Sequence, residues 1–205
     1  MRIITGSARN AIIETLEGEN TRPTAERAKE ALFSMIQFEL EGRNVLDLFA
    51  GSGQLGLEAL SRGAASCTFI DSAREAVDIV IKNAKNAKLF DRARVSAVDY
   101  KAFLKSAAGK EKYDIIFLDP PYASDFVAES VKMIYEGDLL AFGGKIICET
   151  DNGEPQFKRK KVKKADDPEN VTNQVFGGDA ELQEKFNMVK TSLYGRVRIT
   201  ILEKV

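Results

Sequence analysis

Between residues 44 and 149 the chain alternates short apolar runs with segments of helical spacing, and this alternation restricts the fold more than any other feature. The runs at 45–49, 67–70, 94–98, 115–118 and 145–149 have the length and the β-branched or aromatic content of strands. Between them, 54–62, 74–88, 100–106 and 125–135 carry apolar residues at helical spacing. Strand following helix following strand predicts an α/β fold, doubly wound around a mostly parallel sheet. A last alternating run at 196–202 predicts one more strand near the carboxyl terminus.

The 205 residues are 44% hydrophobic, enough for one substantial core. Lys and Arg number 30 against 31 Asp and Glu, so the net charge of −1 excludes a protein that coats nucleic acid through overall charge. Any nucleic-acid contact has to be a local patch. The chain has no histidine, which excludes Ser-His-Asp and Cys-His catalysis and most zinc sites. Cys67 and Cys148 each sit in an apolar run, at no metal-binding spacing, and read as small buried hydrophobes. No apolar run approaches the roughly 18 residues that span a membrane. A soluble, cytoplasmic protein without metal or membrane partner is expected, and the sequon at Asn170 then carries no meaning.

The chain divides into an amino-terminal appendage, 1–42, and a main domain, 43–205, with a charged insertion at about 151–192. Within the appendage, 2–5 and 11–16 predict a short strand pair turning at Gly6-Ser7. Thr24 predicts a helix cap with Glu26 in the first turn, and Gly42 the end of that helix. The polar stretch 151–190 shows no period from which elements can be placed.

Two segments carry chemistry. The first is Asp114-Ile115-Ile116-Phe117-Leu118-Asp119-Pro120-Pro121-Tyr122. Proline offers no ladder N–H, so the strand has to stop here, ending in a carboxylate, backbone carbonyls and a ring. In open α/β sheets the carboxyl ends of the strands are where ligands bind. Acceptors beside a stacking face suit a planar base with an exocyclic amine; an ordinary Asp-Pro turn is the plainer reading.

The second is the turn Gly51-Ser52-Gly53-Gln54-Leu55-Gly56, which follows the first parallel strand. Alone it reads as a dinucleotide site, with Asp71 at the spacing of a ribose-binding acid. Asp47 argues otherwise. A carboxylate beside the turn repels a pyrophosphate and attracts a cation such as the ammonium and sulfonium of S-adenosylmethionine. Asp47 also fits a carboxylate satisfied by local N–H groups, Asp71 a helix cap, and Asp99 either an adenine-amine acceptor or a cap.

Together these residues resemble a known family. Asp47-Leu48-Phe49-Ala50-Gly51-Ser52-Gly53 is similar to the first motif of class I methyltransferases, and Asp119-Pro120-Pro121-Tyr122 to the motif of amino-group methyltransferases. The opening Met1-Arg2-Ile3-Ile4-Thr5-Gly6, the segment Thr21-Arg22-Pro23-Thr24-Ala25-Glu26-Arg27 and the late Tyr194-Gly195 resemble the RsmD family, which methylates N2 of one guanine in small-subunit (16S) ribosomal RNA. The resemblance implies a seven-stranded, Rossmann-like methyltransferase sheet and S-adenosylmethionine as cofactor. It implies cofactor contacts from Asp47, Phe49, Ala50, Gly51, Ser52, Gly53, Asp71, Ser72, Asp99, Tyr100 and Asp119, with Thr24 close by. Asp119, Pro120, Pro121 and Tyr122 would carry catalysis. Asp71 stands where Glu is common, Gln54 where a small residue is usual, and 151–192 is longer and more charged than the family's link.

Ribosomal RNA or the small subunit is the implied partner. RNA contacts are expected from Arg2, Arg9, Arg22 and Arg27, and from Lys160 and Lys161 in a basic run that reads equally as a solvated loop. The competing functions are an adenine-N6 methyltransferase, an NAD-dependent oxidoreductase and a non-catalytic RNA-binding protein.

Overall fold

A computed structural model describes residues 1–16, 23–121, 125–151 and 168–205. Seven strands form one sheet: β1 Asn44–Asp47, β2 Ser66–Asp71, β3 Ala93–Ala97, β4 Tyr113–Leu118, β5 Leu140–Asp151, β6 Phe186–Tyr194 and β7 Val197–Lys204. Their order is β3-β2-β1-β4-β5-β7-β6. The first five pair in parallel, and β7 runs antiparallel to both β5 and β6. Central β1 and β4 are covered on both faces, which explains their near-continuous apolar sequences.

The helices are α1 Pro23–Met35, α2 Gln54–Ser61, α3 Arg74–Asn86, α4 Tyr100–Ala107, α5 Phe126–Glu136, α6 Pro168–Phe176 and α7 Ala180–Gln183. The chain moves outward from β1 through β2 to β3, then crosses back to β4. That reversal places the helices on opposite faces and opens a crevice between the carboxyl ends of β1 and β4, the switch point where open sheets bind ligands. One core layer packs Leu57 of α2, Val80 of α3 and Phe33 of α1 against Phe69, Phe117 and Ile199. The other packs Phe103 of α4, Val131 of α5 and Val175 of α6 against Leu46, Leu118 and Leu202.

The amino-terminal segment joins the first layer through Ile3 and Ile13. The strand pair expected there is a single bridge, Arg2 to Ile12. Gly6 is pressed onto the end of α2, where a Cβ would stand 1.9 Å from the Ser61 carbonyl oxygen. The segment is held both to itself, through bonds such as Ile3 N–H to the Ala11 carbonyl and Ile13 N–H to the Met1 carbonyl, and to the end of α2, where Ser7 N–H donates to the Ser61 carbonyl at 2.8 Å. Glu58, fully buried, accepts the Ile4 and Thr5 N–H groups at 2.7 and 3.1 Å and pairs with Lys29 and Arg62. Removing one partner of such a buried cluster costs about 3–5 kcal/mol.

Other boundaries differ from the sequence reading. Helix α1 starts at Pro23, so Thr24 lies within its first turn and is not the cap; proline's fixed φ suits the first helical position. The helix ends at Met35, ahead of Gly42, because the chain turns to bury Ile36 and Leu40; Gly42 (φ 72) serves the next turn. Strand β5 starts at Leu140, and its register jumps from Tyr113↔Leu140 to Ile115↔Lys145, throwing Phe142 fully into solvent. Helices α6 and α7 and the start of β6 lie in the polar stretch whose sequence shows no period.

Candidate active site

The site is built at the carboxyl ends of β1, β2 and β4. Asp47 closes β1 and is 1% exposed. Its Oδ2 accepts the Gly56 N–H at 3.0 Å. Burial pushes its carboxyl up to about 7, against the Gly56 N–H, which stabilises the charged form; the charge of Asp71 adds to the rise. The local satisfaction foreseen for Asp47 is therefore present, and the same carboxylate still lines the crevice. Phe49, Ala50, Gly51, Ser52, Gln54, Leu55 and Asp119 line it too, around about 80 Å³ bounded by described residues.

The glycine turn is tied inward at each glycine. The Gly51 N–H donates to Asp71 Oδ2 at 2.9 Å, Gly53 to the Ala50 carbonyl at 2.7 Å and Gly56 to Asp47. Gly51 and Gly53 hold φ values of 50 and 78, conformations that L side chains rarely adopt. A Cβ on Gly56 would meet Phe69 at 2.3 Å and the Cys67 sulfur at 2.6 Å, so this glycine sets the approach of helix to sheet. Dinucleotide sites offer such N–H groups to a pyrophosphate. Here all three are used internally and two carboxylates line the crevice, a donor set suited to a cationic ligand and hostile to a diphosphate.

Asp71 does not cap a helix. Its Oδ1 accepts the Ala73 N–H at 2.9 Å while Oδ2 holds Gly51, and exposed Ser72 lies between. Asp99 is the cap of α4, its Oδ1 accepting from Lys101 and Ala102 at 2.9 and 3.2 Å. Beside it, Tyr100 donates to Glu129 at 2.7 Å, and burial together with that carboxylate holds its phenol well above the usual range. The Tyr100 ring sits 5.2 Å from Phe49 and 5.3 Å from Phe126, making an aromatic wall.

Asp119 follows β4 directly, half-buried, with Pro120 buried and Pro121 exposed. The ladder continues one step past β1, with Leu48 N–H donating to the Phe117 carbonyl at 3.2 Å, so Asp119 and the glycine turn face one crevice. Tyr122, Arg22, Lys160 and Lys161 lie outside the described residues. Arg2 and Arg9 are exposed around a separate hollow of about 590 Å³ between the amino-terminal segment and α1. Arg27 is exposed on α1 but does not line it, and Glu26 and Glu30 do. The hollow is roomier than the crevice but contains neither glycine turn nor strand end, so its size marks no chemistry.

Sequence reasoning missed Asn83, a buried amide on α3 with three bonds to backbone. Its one signal is its place on the apolar face with Ala76, Val77, Val80 and Ala84. Glu58, an acid inside an apolar helix, is a similar signal. Among the described residues no cluster could hold a metal, and no helix is long and apolar enough to cross a membrane. Both thiols are buried, and burial pushes them upward and makes them inert.

The family described as Conserved hypothetical protein 95 matches residues 1–175. "Ribosomal RNA small subunit methyltransferase D" of Haemophilus influenzae is 33% identical over 156 residues, 76% of this chain and 81% of that protein. "Putative rRNA methyltransferase YlbH" of Bacillus subtilis is 40% identical over 152 residues, 74% of this chain and 83% of that protein. Among solved structures, yhhF from Escherichia coli superposes with a TM-score of 0.76 at 27% identity, covering 100% of this chain and 97% of that one. With a methyltransferase sheet, a glycine turn guarded by Asp47 and an Asp-Pro-Pro strand end on one crevice, the chain belongs to the RsmD family of methyltransferases.

Proposed function

We propose that this protein transfers the methyl group of S-adenosylmethionine to the exocyclic N2 amine of a guanine in small-subunit (16S) ribosomal RNA. The observation that carries the reading is the shared crevice of Asp47, the glycine turn and Asp119 at the β1/β4 switch point. The names of the relatives support the RNA substrate.

Asp47 and the turn Gly51–Gly53 would hold the cofactor's cationic end, and Asp71 its ribose, with Asp99 and the Phe49–Tyr100 wall beside the adenine. When bound, S-adenosylmethionine supplies an electrophilic methyl on a sulfur that leaves as a thioether. The protein's task is to aim the amine. A guanine N2 lone pair is delocalised into the ring and is a poor nucleophile. If Asp119 Oδ and the Pro120 carbonyl each accept one N–H, the nitrogen pyramidalises and its lone pair points at the methyl. The nitrogen–carbon bond forms as the carbon–sulfur bond breaks, and the same acceptors stabilise the positive charge that grows on nitrogen. The methylated amine then passes one proton to the Asp119 carboxylate or to water. Tyr122 would stack on the base, which has to be unpaired or flipped to enter. Arg2, Arg9, Arg22 and Arg27, with Lys160 and Lys161, would take phosphates.

The test is to incubate the protein with labelled S-adenosylmethionine and unmodified 16S RNA or small subunits, digest, and identify the labelled nucleoside. N2-methylguanosine is expected. N6-methyladenosine would transfer the assignment to the adenine alternative, and no label in either substrate would refute the reading.

A further inference from the structure

Asn83 is 1% exposed on α3, and no step described above uses it. Its Oδ1 accepts the Glu14 N–H at 2.9 Å. Its Nδ2 donates to the Glu14 carbonyl at 2.9 Å and to the Ser52 carbonyl at 2.9 Å. These bonds admit one orientation of the amide: turned over, the nitrogen would face an N–H and the oxygen two carbonyls. One side chain thus pairs with Glu14 as a neighbouring strand would, and with its second N–H holds the carbonyl inside the glycine turn. Ser52 is 4% exposed between two glycines of positive φ, so its carbonyl has little access to water.

We propose that Asn83 is a positioning residue that locks the cofactor's glycine turn to the amino-terminal segment at Glu14, so that filling the crevice stiffens both. The proposal rests on the assignment of that turn to S-adenosylmethionine. Coupling between separate segments needs a physical link that both ends bias, and the buried amide is one. It cannot release Ser52 without stranding a buried N–H, nor Glu14 without stranding both a donor and an acceptor. The adjacent Lys82 pairs with the Glu14 carboxylate at 2.6 Å in solvent and provides a control that leaves the amide untouched.

The experiment is peptide-level hydrogen exchange with and without S-adenosylhomocysteine, together with steady-state kinetics, on the parent, Asn83→Ala, Asn83→Ser and Lys82→Ala. In the parent, the ligand is expected to slow exchange in peptides covering 51–55 and also in those covering 11–16. In Asn83→Ala, protection persists at 51–55 and is lost at 11–16, and KM for the cofactor rises about tenfold with kcat little changed, the size of one buried hydrogen bond. Asn83→Ser, whose hydroxyl can serve one carbonyl, falls between, and Lys82→Ala matches the parent. If the alanine variant fails to fold, the parent's exchange pattern and the serine variant decide the matter. Parent protection confined to 51–55, or unchanged KM in a folded Asn83 variant, overturns the proposal and leaves the cofactor assignment standing. No binding of S-adenosylhomocysteine to the parent overturns both.

Discussion

The carboxyl ends of β1 and β4 lie side by side in one sheet and are built on opposite hydrogen-bond chemistry. After β1, every glycine N–H of the turn is satisfied by the protein itself, through Asp71, Ala50 and Asp47. After β4, Pro120 and Pro121 supply no N–H at all, and what the strand end presents is acceptors. The first end holds its glycines closed and sets the Asp47 carboxyl beside them. The second is a strand end poor in N–H donors, with Asp119 on the crevice. On the proposed function the contrast is a division of labour: one end would hold a cation and the other would polarise an amine.

The largest expected effect lies at the β4 end. On the proposed mechanism Asp119→Ala removes one acceptor for the developing charge and should lower methyl transfer by on the order of 10²–10³, as loss of one preorganised transition-state partner does. Asp119→Asn should retain more activity, since its amide oxygen still accepts. The next effect lies in the glycine turn. Asp71→Ala strands the Gly51 N–H and frees the turn, and should weaken S-adenosylhomocysteine binding about tenfold, read by titration calorimetry.

A third prediction sharpens the comparison through pH. Burial pushes the Asp47 carboxyl up to about 7; on the proposed assignment its ionised form attracts the cofactor, so cofactor affinity should fall as pH drops through 7. Folding responds with the opposite slope. The folded carboxyl binds its proton more tightly than the unfolded one, so stability falls as pH rises from about 4 to 7. In Asp47→Asn both dependences should flatten, in calorimetry and in thermal melts across pH 5–8. The smallest effect is at the surface. Replacing exposed Arg9 and Arg27 by Ala should weaken RNA binding and reduce its salt dependence while leaving the cofactor affinity unchanged.

The division was legible in the sequence only where residue type dictates geometry. Gly51, Gly53 and Gly56 announced a turn packed on a strand, and Pro120 and Pro121 announced a strand end, because few other residues permit or forbid those conformations. The inner parallel strands β1, β2 and β4 are legible because burial on both faces leaves continuous apolar runs, whereas edge strand β3 has no fully buried residue. Strand β6 was not: it lies at the sheet edge, its residues from Asn187 to Lys190 are exposed, and its register shifts between Met188 and Lys190, so no alternation survives. Helix α1 departs from the sequence reading at its carboxyl end because burial of Ile36 and Leu40 outweighs the glycine signal, and at its amino end because Pro23, not Thr24, opens it. Asn83 escaped because its partners are backbone groups of Glu14 and Ser52, far along the chain, and Glu58 because it gathers the distant Ile4 and Thr5 N–H groups and Lys29 around a local pair with Arg62.

The most direct test crosses the two ends in one experiment: single-turnover methyl transfer at saturating cofactor, with S-adenosylhomocysteine affinity measured alongside, for Asp119→Ala and Asp71→Ala. The account predicts that Asp119→Ala loses rate and keeps affinity within about threefold, while Asp71→Ala loses affinity and keeps most of its rate. An Asp119→Ala enzyme that transfers methyl at the parent rate, or one that loses rate and affinity together, would contradict it.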